Sequence, residues 1–491
     1  MSKTSRALIF LTLAVIVAVV VGSQCSRRPR ALAKYKGELR AKGEKLTWAE
    51  MGYPLPAETN KSVERLLAAV AQLPATAVDP GGLVHMPFDG PGRAQPAWAL
   101  SEPRFNSSSR ATNSLTWVEL DDAMQNASDA LAEIRSAMEN PARYFWLNPE
   151  DFLNWPGGSF VQKRKVAQWL AADAINASRI GESARAQADL HAMIQLTQLH
   201  RDECTLVAQM IRVALAGLAL NTTWEVLQTN GWNETTLTAL QADWEQVDLP
   251  TAINRGIVGE RAHGEAVFAW LRRATGRESL KLVQISPVAR GLPALKSFRD
   301  YFSAYVEQPL WRMNSEEDEL FCLQHYQRCL DSLRQLDGPK PWPDIAAELN
   351  AHNDKINEIA DSILARIRYQ LTCLVIPNTA KATLSAVRHE TQRRLTVVAI
   401  ALERYRLQHG SAPPEMTALV PEFLSAVPRD LMSVEPLRYR LNPDGSFVLY
   451  SVGEDGQDNG GEASASSIIT NKFDFWSGKD AVWPTAVISN P

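Results

Sequence analysis

Through the middle of the chain, apolar residues recur at three- and four-residue steps, the periodicity of an amphipathic helix. Val166 and Trp169 open one such series, Gly181 interrupts it, and Leu190 and Ile194 resume it. Two antiparallel helices joined at the glycine are the simplest interpretation. The same periodicity predicts helices over 204–227, 233–247, 255–273, 294–313, 316–336 and 345–374. Helix is therefore expected to dominate from about residue 159 to 409.

Local sequences predict where some of these helices begin. Asn233 can cap one helix, and Ser315 with Asp318 occupies the place of a capping pair at the start of another. The alanine-rich stretch 167–199 resembles one tetratricopeptide-like helical hairpin, and such hairpins stack into a solenoid or bundle. Because no strict 34-residue repeat is present, a regular repeat array is not predicted.

Proline and glycine break the pattern between residues 31 and 158, leaving one helical stretch near Lys61 to Leu73. We expect four regions: a tether over 1–30, a loop-rich entry segment over 31–158, helical hairpins over 159–375 and an α+β module over 376–491. The entry segment ends in aromatic residues, which more often pack a domain seam than bind a ligand. This aromatic knot consists of Tyr144, Phe145, Trp146, Phe152 and Trp155.

The N-terminus has the layout of a signal anchor or signal peptide. Lys3 and Arg6 precede an uncharged apolar run from Ala7 to Gly22, and a basic cluster at residues 27–30 follows it. The run is near the lower limit for spanning a bilayer, so anchored and cleaved forms are both open. The basic cluster favours a cytoplasmic body, but long domains translocate largely regardless of charge. We expect a single pass of the inner membrane with a periplasmic body.

Composition limits the possible classes of protein. A chain of 491 residues exceeds the size of one core, which predicts two or three domains. Its formal net charge of -4 provides no basic field for nucleic acid. Five scattered cysteines are too few for a disulfide framework. Cys322 and Cys329 are seven residues apart, about 10.5 Å of helical rise, and cannot bridge, so buried thiols are expected.

Two short motifs suggest chemistry but lack the partners that the chemistry requires. His200-Arg201-Asp202 copies part of a kinase catalytic loop without a phosphate loop, so we interpret it as a turn between helices. His263-Gly264-Glu265 begins a zinc deaminase signature that no Pro-Cys-x-x-Cys completes. With Glu260 and Arg261, these residues predict a surface ion-pair network on one helix.

The periodicity changes near the C-terminus. A helix is expected to end at His409-Gly410 before Pro413-Pro414. Residues 437–440 and 447–450 then predict two strands, joined by a hairpin turn at 442–445.

Three short motifs follow one another in this region: residues 401–406 before the turn, Pro428-Arg429-Asp430, and the run at 450–456. Their order resembles the periplasmic domain of type II secretion major pseudopilins. The resemblance covers roughly 70 to 100 residues and implies a small extracytoplasmic α+β module. About 370 residues separate this segment from the apolar run, and the prepilin-peptidase pattern is absent, so filament assembly is not expected.

The loop after the last predicted strand is rich in oxygen donors among glycines, a composition that suits the six to eight ligands of Ca²⁺. In the family that the segment resembles, this loop can bind calcium. An EF-hand does not fit, because Gln457 and Ser466 stand at positions that need carboxylates. A solvated acidic turn is the alternative. The predicted ligands are Ser451, Asp455, Asp458, Asn459 and Glu462.

These features favour a non-catalytic, membrane-tethered binding or scaffold protein of the bacterial envelope, with the membrane and another protein as partners. Enzymatic activity stays open. An exported hydrolase would have its site in the aromatic and acidic region around Glu150, Asp151 and Trp155. A component associated with a secretion apparatus is a third interpretation.

Overall fold

The computed structural model describes residues 30–52, 61–73, 84–85, 94–99, 112–141, 160–274, 311–362, 365, 368–462, 475–476 and 478–483. The protein is mainly helical, as the sequence predicts. In chain order the helices are α1 (30–41), α2 (Trp48–Met51), α3 (Lys61–Gln72), α4 (Trp117–Asn126), α5 (Ser128–Met138), α6 (Phe160–Arg179), α7 (Ser183–Gln198), α8 (Leu206–Val226), α9 (Glu234–Glu245), α10 (Pro250–Arg273), α11 (Ser315–Leu333), α12 (Trp342–Asp361), α13 (Gln370–Val375) and α14 (Thr379–His409).

Helix α8 lies at the centre of the hairpins and packs against α6, α7, α10 and α14. Among the described helices it alone has the length and apolarity of a membrane span, and 67% of its apolar window is buried inside the protein. Two glycines allow neighbouring segments to approach closely in this part of the body. A Cβ atom on Gly217 would overlap the His389 ring, and one on Gly259 of α10 would overlap the Cys204 carbonyl oxygen. Neither position has room for a side chain.

The predicted helix boundaries are confirmed in part. Asn233 caps α9 in a capping box with Thr236, and α14 ends at Gly410, whose φ of 79° suits glycine. The predicted cap at Ser315 is wrong, because Asn314 is the N-cap of α11 and makes no side-chain cap. Buried Asp318 instead accepts hydrogen bonds from Trp311 and from the backbone of α13.

Other departures concern the lengths and number of elements. The predicted helix at 345–374 is divided into α12 and α13. The entry segment contains α1, α2, α4 and α5 besides the predicted helix near Lys61. In α4, Thr116 and Glu119 form a capping box that pattern reading overlooked. The tether, most of the predicted helix at 294–313 and the aromatic knot lie outside the described residues.

Two small antiparallel sheets complete the described fold. Strands β1 (Val84–His85), β2 (Ala97–Ala99) and β3 (Thr112–Ser114) form one near the N-terminus. The C-terminal sheet has the order β4 (Arg438–Leu441), β5 (Phe447–Ser451), β6 (Ala481–Trp483). Pairing of Arg440 with Val448 confirms the predicted hairpin, whereas β6 was not predicted. Helix α14 contacts both this sheet and the helical body.

Candidate functional site

The N-terminal segment is attached to the body by ion pairs that we call the tether-side clamp: Lys36, Glu44, Arg261, Glu265 and Glu319. Lys36 Nζ lies 3.3 Å from Glu265 Oε1 on α10 and also pairs with Glu319 on α11. Arg261 Nη2 lies 2.9 Å from Glu44 Oε2 and donates to the Lys45 carbonyl oxygen at the same distance. The clamp therefore attaches residues 36–45 to two helices of the body.

Three side chains of the clamp are largely shielded from water, whereas Lys36 and Glu265 are 16% and 23% exposed. The side chains of Arg261 and Glu44 are 0% and 8% exposed, and that of Glu319 is 1% exposed. Burial disfavours ionisation of Glu44, but hydrogen bonds from Arg334, Arg261 and Gln327 outweigh it and lower the pKa of Glu44 to about 2. Glu44 is therefore ionised at neutral pH and compensates the buried guanidinium.

The contacts of the clamp fix the direction of α1. Lys36 meets α10 at residue 265 and α11 at residue 319, whereas Glu44 meets them at residues 261 and 327. The start of α1, the end of α10 and the start of α11 consequently lie at one end of the body, which we call the tether end.

The predicted surface network on α10 is wrong, because its members bind different elements. Arg261 is buried, and Glu265 pairs with α1. Glu260 Oε1 accepts from the backbone of Leu206 at 3.0 Å, and burial raises the pKa of this carboxyl to about 7. Burial likewise lowers the pKa of His263 to about 4. Periodicity located the charges but not the elements that face them.

Four of the five predicted calcium ligands lie in a loop at residues 453–462, which we call the C-terminal loop. Ser451 is buried beside it and donates from Oγ to Asp430 Oδ1 at 2.8 Å. Asp455 Oδ1 accepts from the Gln457 backbone at 2.9 Å, as in an Asx turn. Asp458 accepts from the Tyr450 hydroxyl at 2.9 Å and from Arg438 Nε at 3.2 Å.

The other two predicted ligands, Asn459 and Glu462, lie at the end of the loop, where backbone N–H groups donate hydrogen bonds to Asp480. Its carboxylate accepts from the backbone N–H groups of Asn459, Gly461 and Glu462 at 3.3, 2.8 and 2.9 Å. The Glu462 side chain pairs with Lys479 at 3.0 Å. Sequence reasoning missed Asp480, which lies just before the unpredicted strand β6. A protein carboxylate thus closes the loop at this end.

Calcium could bind the oxygen atoms of this loop only if it displaced the cationic side chains that pair with them. Asp458 and Glu462 each face a cationic side chain that a bound metal would displace. Within the described ranges, no three His, Cys, Asp or Glu side chains are grouped so that they could hold a metal ion. The calcium site stays a prediction.

A second polar group is enclosed where α6 meets the turn between α7 and α8. Lys163 Nζ contacts His200 Nε2, and both side chains are 1% exposed. Burial lowers the pKa of Lys163 to about 7, against the attraction of Glu203. Gln209 donates to the His200 carbonyl oxygen at 2.9 Å. An amine with such a pKa can serve as a base, although here it is shielded from solvent.

The structure confirms that His200 lies in a turn between helices, and that Cys204, Cys322 and Cys329 are buried free thiols. Lys163 was not predicted, because nothing in the sequence links two residues 37 positions apart. Glu150, Asp151 and Trp155, proposed for a hydrolase site, lie outside the described residues.

No family model matches the chain, and searches of curated proteins and of solved structures likewise give no match. The resemblance to pseudopilins therefore stays a prediction. Function has to be inferred from the contacts described above.

Proposed function

We propose that this chain is a membrane-tethered, extracytoplasmic binding or scaffold protein of the bacterial envelope, with a tetratricopeptide-like helical body and a pseudopilin-like C-terminal module. The tether-side clamp is the observation that carries the proposal. A tether on a flexible linker needs no buried ion pairs, whereas Arg261 and Glu44 attach the segment after the apolar run directly to the body. The body would then be held close to the tether.

Helix α14 extends this connection to the C-terminal module. Gln392 Nε2 donates to Asn221 Oδ1 of α8 at 2.9 Å, and Arg394 Nη1 donates to the Arg429 carbonyl oxygen at the same distance. Arg388, on the same helix, pairs with Glu454 of the C-terminal loop. A partner bound to the hairpins or to the module would be held at a defined place above the membrane, which is the task of a scaffold.

Fractionation tests the tether. Changing Val15 and Val19 to Asp should move the protein from the carbonate-washed membrane pellet to the soluble fraction, because each charge at a helix centre costs on the order of 2.5 to 3.5 kcal/mol. Val118→Asp is the control, since Val118 is 72% exposed on α4. A double variant that stays in the pellet would contradict the tether.

Protease protection tests the side of the membrane in the same cells. Trypsin added to intact spheroplasts should cleave the body while a cytoplasmic marker protein survives. Cleavage that occurs only after lysis would place the body in the cytoplasm and overturn the extracytoplasmic part of the proposal.

Calcium binding by the C-terminal loop is a separate part of the proposal. It is supported by the density of oxygen donors and by the exposure of Asp455 and Asp458 to solvent. A calcium ion would relieve the repulsion between neighbouring carboxylates.

A further inference from the structure

We propose that the tether end of the body rests on an anionic phospholipid surface, through the exposed side chains of Arg30, Arg273, Arg312 and Met313. This inference rests on the proposed function, because it requires the apolar run to be inserted in the bilayer. It adds the face of the body that meets the membrane and the chemistry of the lipid.

The placement follows from the direction of α1. Arg30 lies six residues before Lys36, about 9 Å along the helix, and Arg273 lies eight residues beyond Glu265, about 12 Å along α10. Both displacements point away from Glu44 and toward the tether end. The chain from Gly22 to Arg30 spans at most about 29 Å when fully extended. The tether therefore holds this end of the body, and not another, near the bilayer.

The remaining contacts at this end keep the surface compact. Arg272 donates to the Ser315 carbonyl oxygen at 2.9 Å and pairs with Glu319, which joins the end of α10 to the start of α11. Arg312 donates to the Ala274 carbonyl oxygen. Arg273 and Arg312, with Met313, therefore lie on neighbouring segments of one surface.

The charges at this end are suited to lipid phosphates. The whole chain has a formal net charge of -4, yet Arg30, Arg273 and Arg312 are all exposed here. Of the nearby acidic groups, Glu317 is paired with Arg368 and accepts from the Tyr369 hydroxyl at 3.0 Å. Glu316 accepts from the Ser315 hydroxyl at 3.4 Å and keeps its own charge, so Arg30, Arg273 and Arg312 outnumber it among the described residues at this end. Guanidinium groups bind phosphate oxygens in a bidentate manner.

Met313 supplies an apolar contact beside these cations. Its side chain is 54% exposed, although it lies two residues before α11, whose apolar residues are largely buried. Cationic side chains next to an exposed apolar side chain are the combination that binds the interface of an anionic membrane.

The test uses the full-length protein in nanodiscs of phosphatidylcholine, alone or with about one third phosphatidylglycerol. A nitroxide label is attached at Met313→Cys in a background in which Cys25 and Cys373 are replaced by Ser, since the other three cysteines are buried. We expect the label to collide less with a water-soluble nickel chelate in anionic discs than in neutral discs.

Leu407→Cys provides the matched control. Leu407 is 43% exposed near the end of α14, where Arg404 pairs with Glu234 of α9. Leu407 is therefore near α9, which comes before the start of α10 in the chain. The tether end lies at the other end of α10, which is 24 residues long. The label at residue 407 should stay accessible to the chelate in both kinds of disc.

Charge variants separate lipid attraction from mere proximity. Arg273→Gln and Arg312→Gln, made singly, should each reduce the preference of the tether end for anionic over neutral discs by about fivefold. This corresponds to about 1 kcal/mol per charge. Arg312→Lys should retain the preference, because it keeps the charge.

The outcomes distinguish this inference from the proposed function. If the protein inserts into discs but the labels at residues 313 and 407 are equally accessible in anionic discs, the inference is wrong and the tether stands. If the protein does not float with lipid vesicles, the tether itself is wrong and the inference is overturned with it.

Discussion

The tether-side clamp and the C-terminal loop both pair carboxylates with cations, but they differ in their access to water. Arg261 and Glu44 are almost fully enclosed, whereas Arg438 and Asp458 are 33% and 42% exposed. An exposed ion pair contributes about 0 to 1 kcal/mol, because water solvates each partner when the pair separates. A buried partner left alone costs far more. The same pairing chemistry therefore makes a permanent joint in one region and an exchangeable contact in the other.

This difference also bears on metal binding. An exchangeable cation such as Arg438 can yield its carboxylate to calcium at modest cost. Displacing Arg261 would remove one of two cations from the buried Glu44 and leave it with Arg334 and Gln327. The loop is accordingly the region where ligand binding is expected, and the clamp is the region that stays unchanged.

The largest effect is expected from Arg261→Leu. Removing the guanidinium takes one partner from the buried Glu44, and breaking a buried pair in this way costs about 3 to 5 kcal/mol. The free energy of unfolding, measured by denaturant titration of the full chain in detergent, should fall by about that amount. Arg438→Leu is the matched control and should change it by at most ~1 kcal/mol. Equal effects of the two variants would contradict the contrast between the two regions.

An intermediate effect is expected from calcium. At about 100 times its dissociation constant, calcium should stabilise the full chain by roughly 2.7 kcal/mol, and a chelator should remove that gain. Asp455→Asn combined with Asp458→Asn should abolish most of the response, whereas Asp202→Asn, far from the loop, should not alter it. Identical melting curves in calcium and in chelator would leave the loop as an acidic turn closed by Asp480.

The smallest effect is expected from the pH dependence of Asp458. Its hydrogen bond from the Gly460 backbone, with those from Tyr450 and Arg438, lowers the pKa of this carboxyl below 3.8 despite some opposing desolvation. Its contribution to stability is therefore present above about pH 4 and is lost as the pH falls through the lowered pKa. Asp458→Asn should flatten the acid limb of the stability curve slightly, by less than ~1 kcal/mol. A large change would show that the loop is less exposed than its side chains indicate.

Periodic apolar residues and local caps made much of the helical body predictable. The hairpin of α6 and α7 turns at Gly181 and α9 begins after Asn233, as predicted, since both signals act within a few residues. The helix at 30–41 was missed because Lys36 and Glu44 face partners more than 200 positions away. Similarly, the sequence pattern located the charged residues of α10 but did not indicate that Arg261 is buried. Pairing across long sequence separations is not encoded in the local pattern.

The candidate site was predicted at the level of a loop and not of its contacts. The hairpin from β4 to β5 follows from alternation and turn residues, and it places Ser451 directly before the loop that contains Asp458, as expected. Asp480 could not be inferred, because β6 is only three residues long and too short for a recognisable alternating pattern. The closure of the loop depends on that strand.

Helix α14 belongs to both the helical body and the C-terminal module, which limits where the chain can be divided. Its 31 residues, about 46 Å of helix, serve the body through Gln392 and the module through Arg394. A truncation before residue 379 would remove a helix that packs against α8, α9 and α10, and one after residue 409 would remove the sheet that packs against α14. No cut between the two regions leaves both intact, so we expect body and module to be inherited, exchanged or lost together.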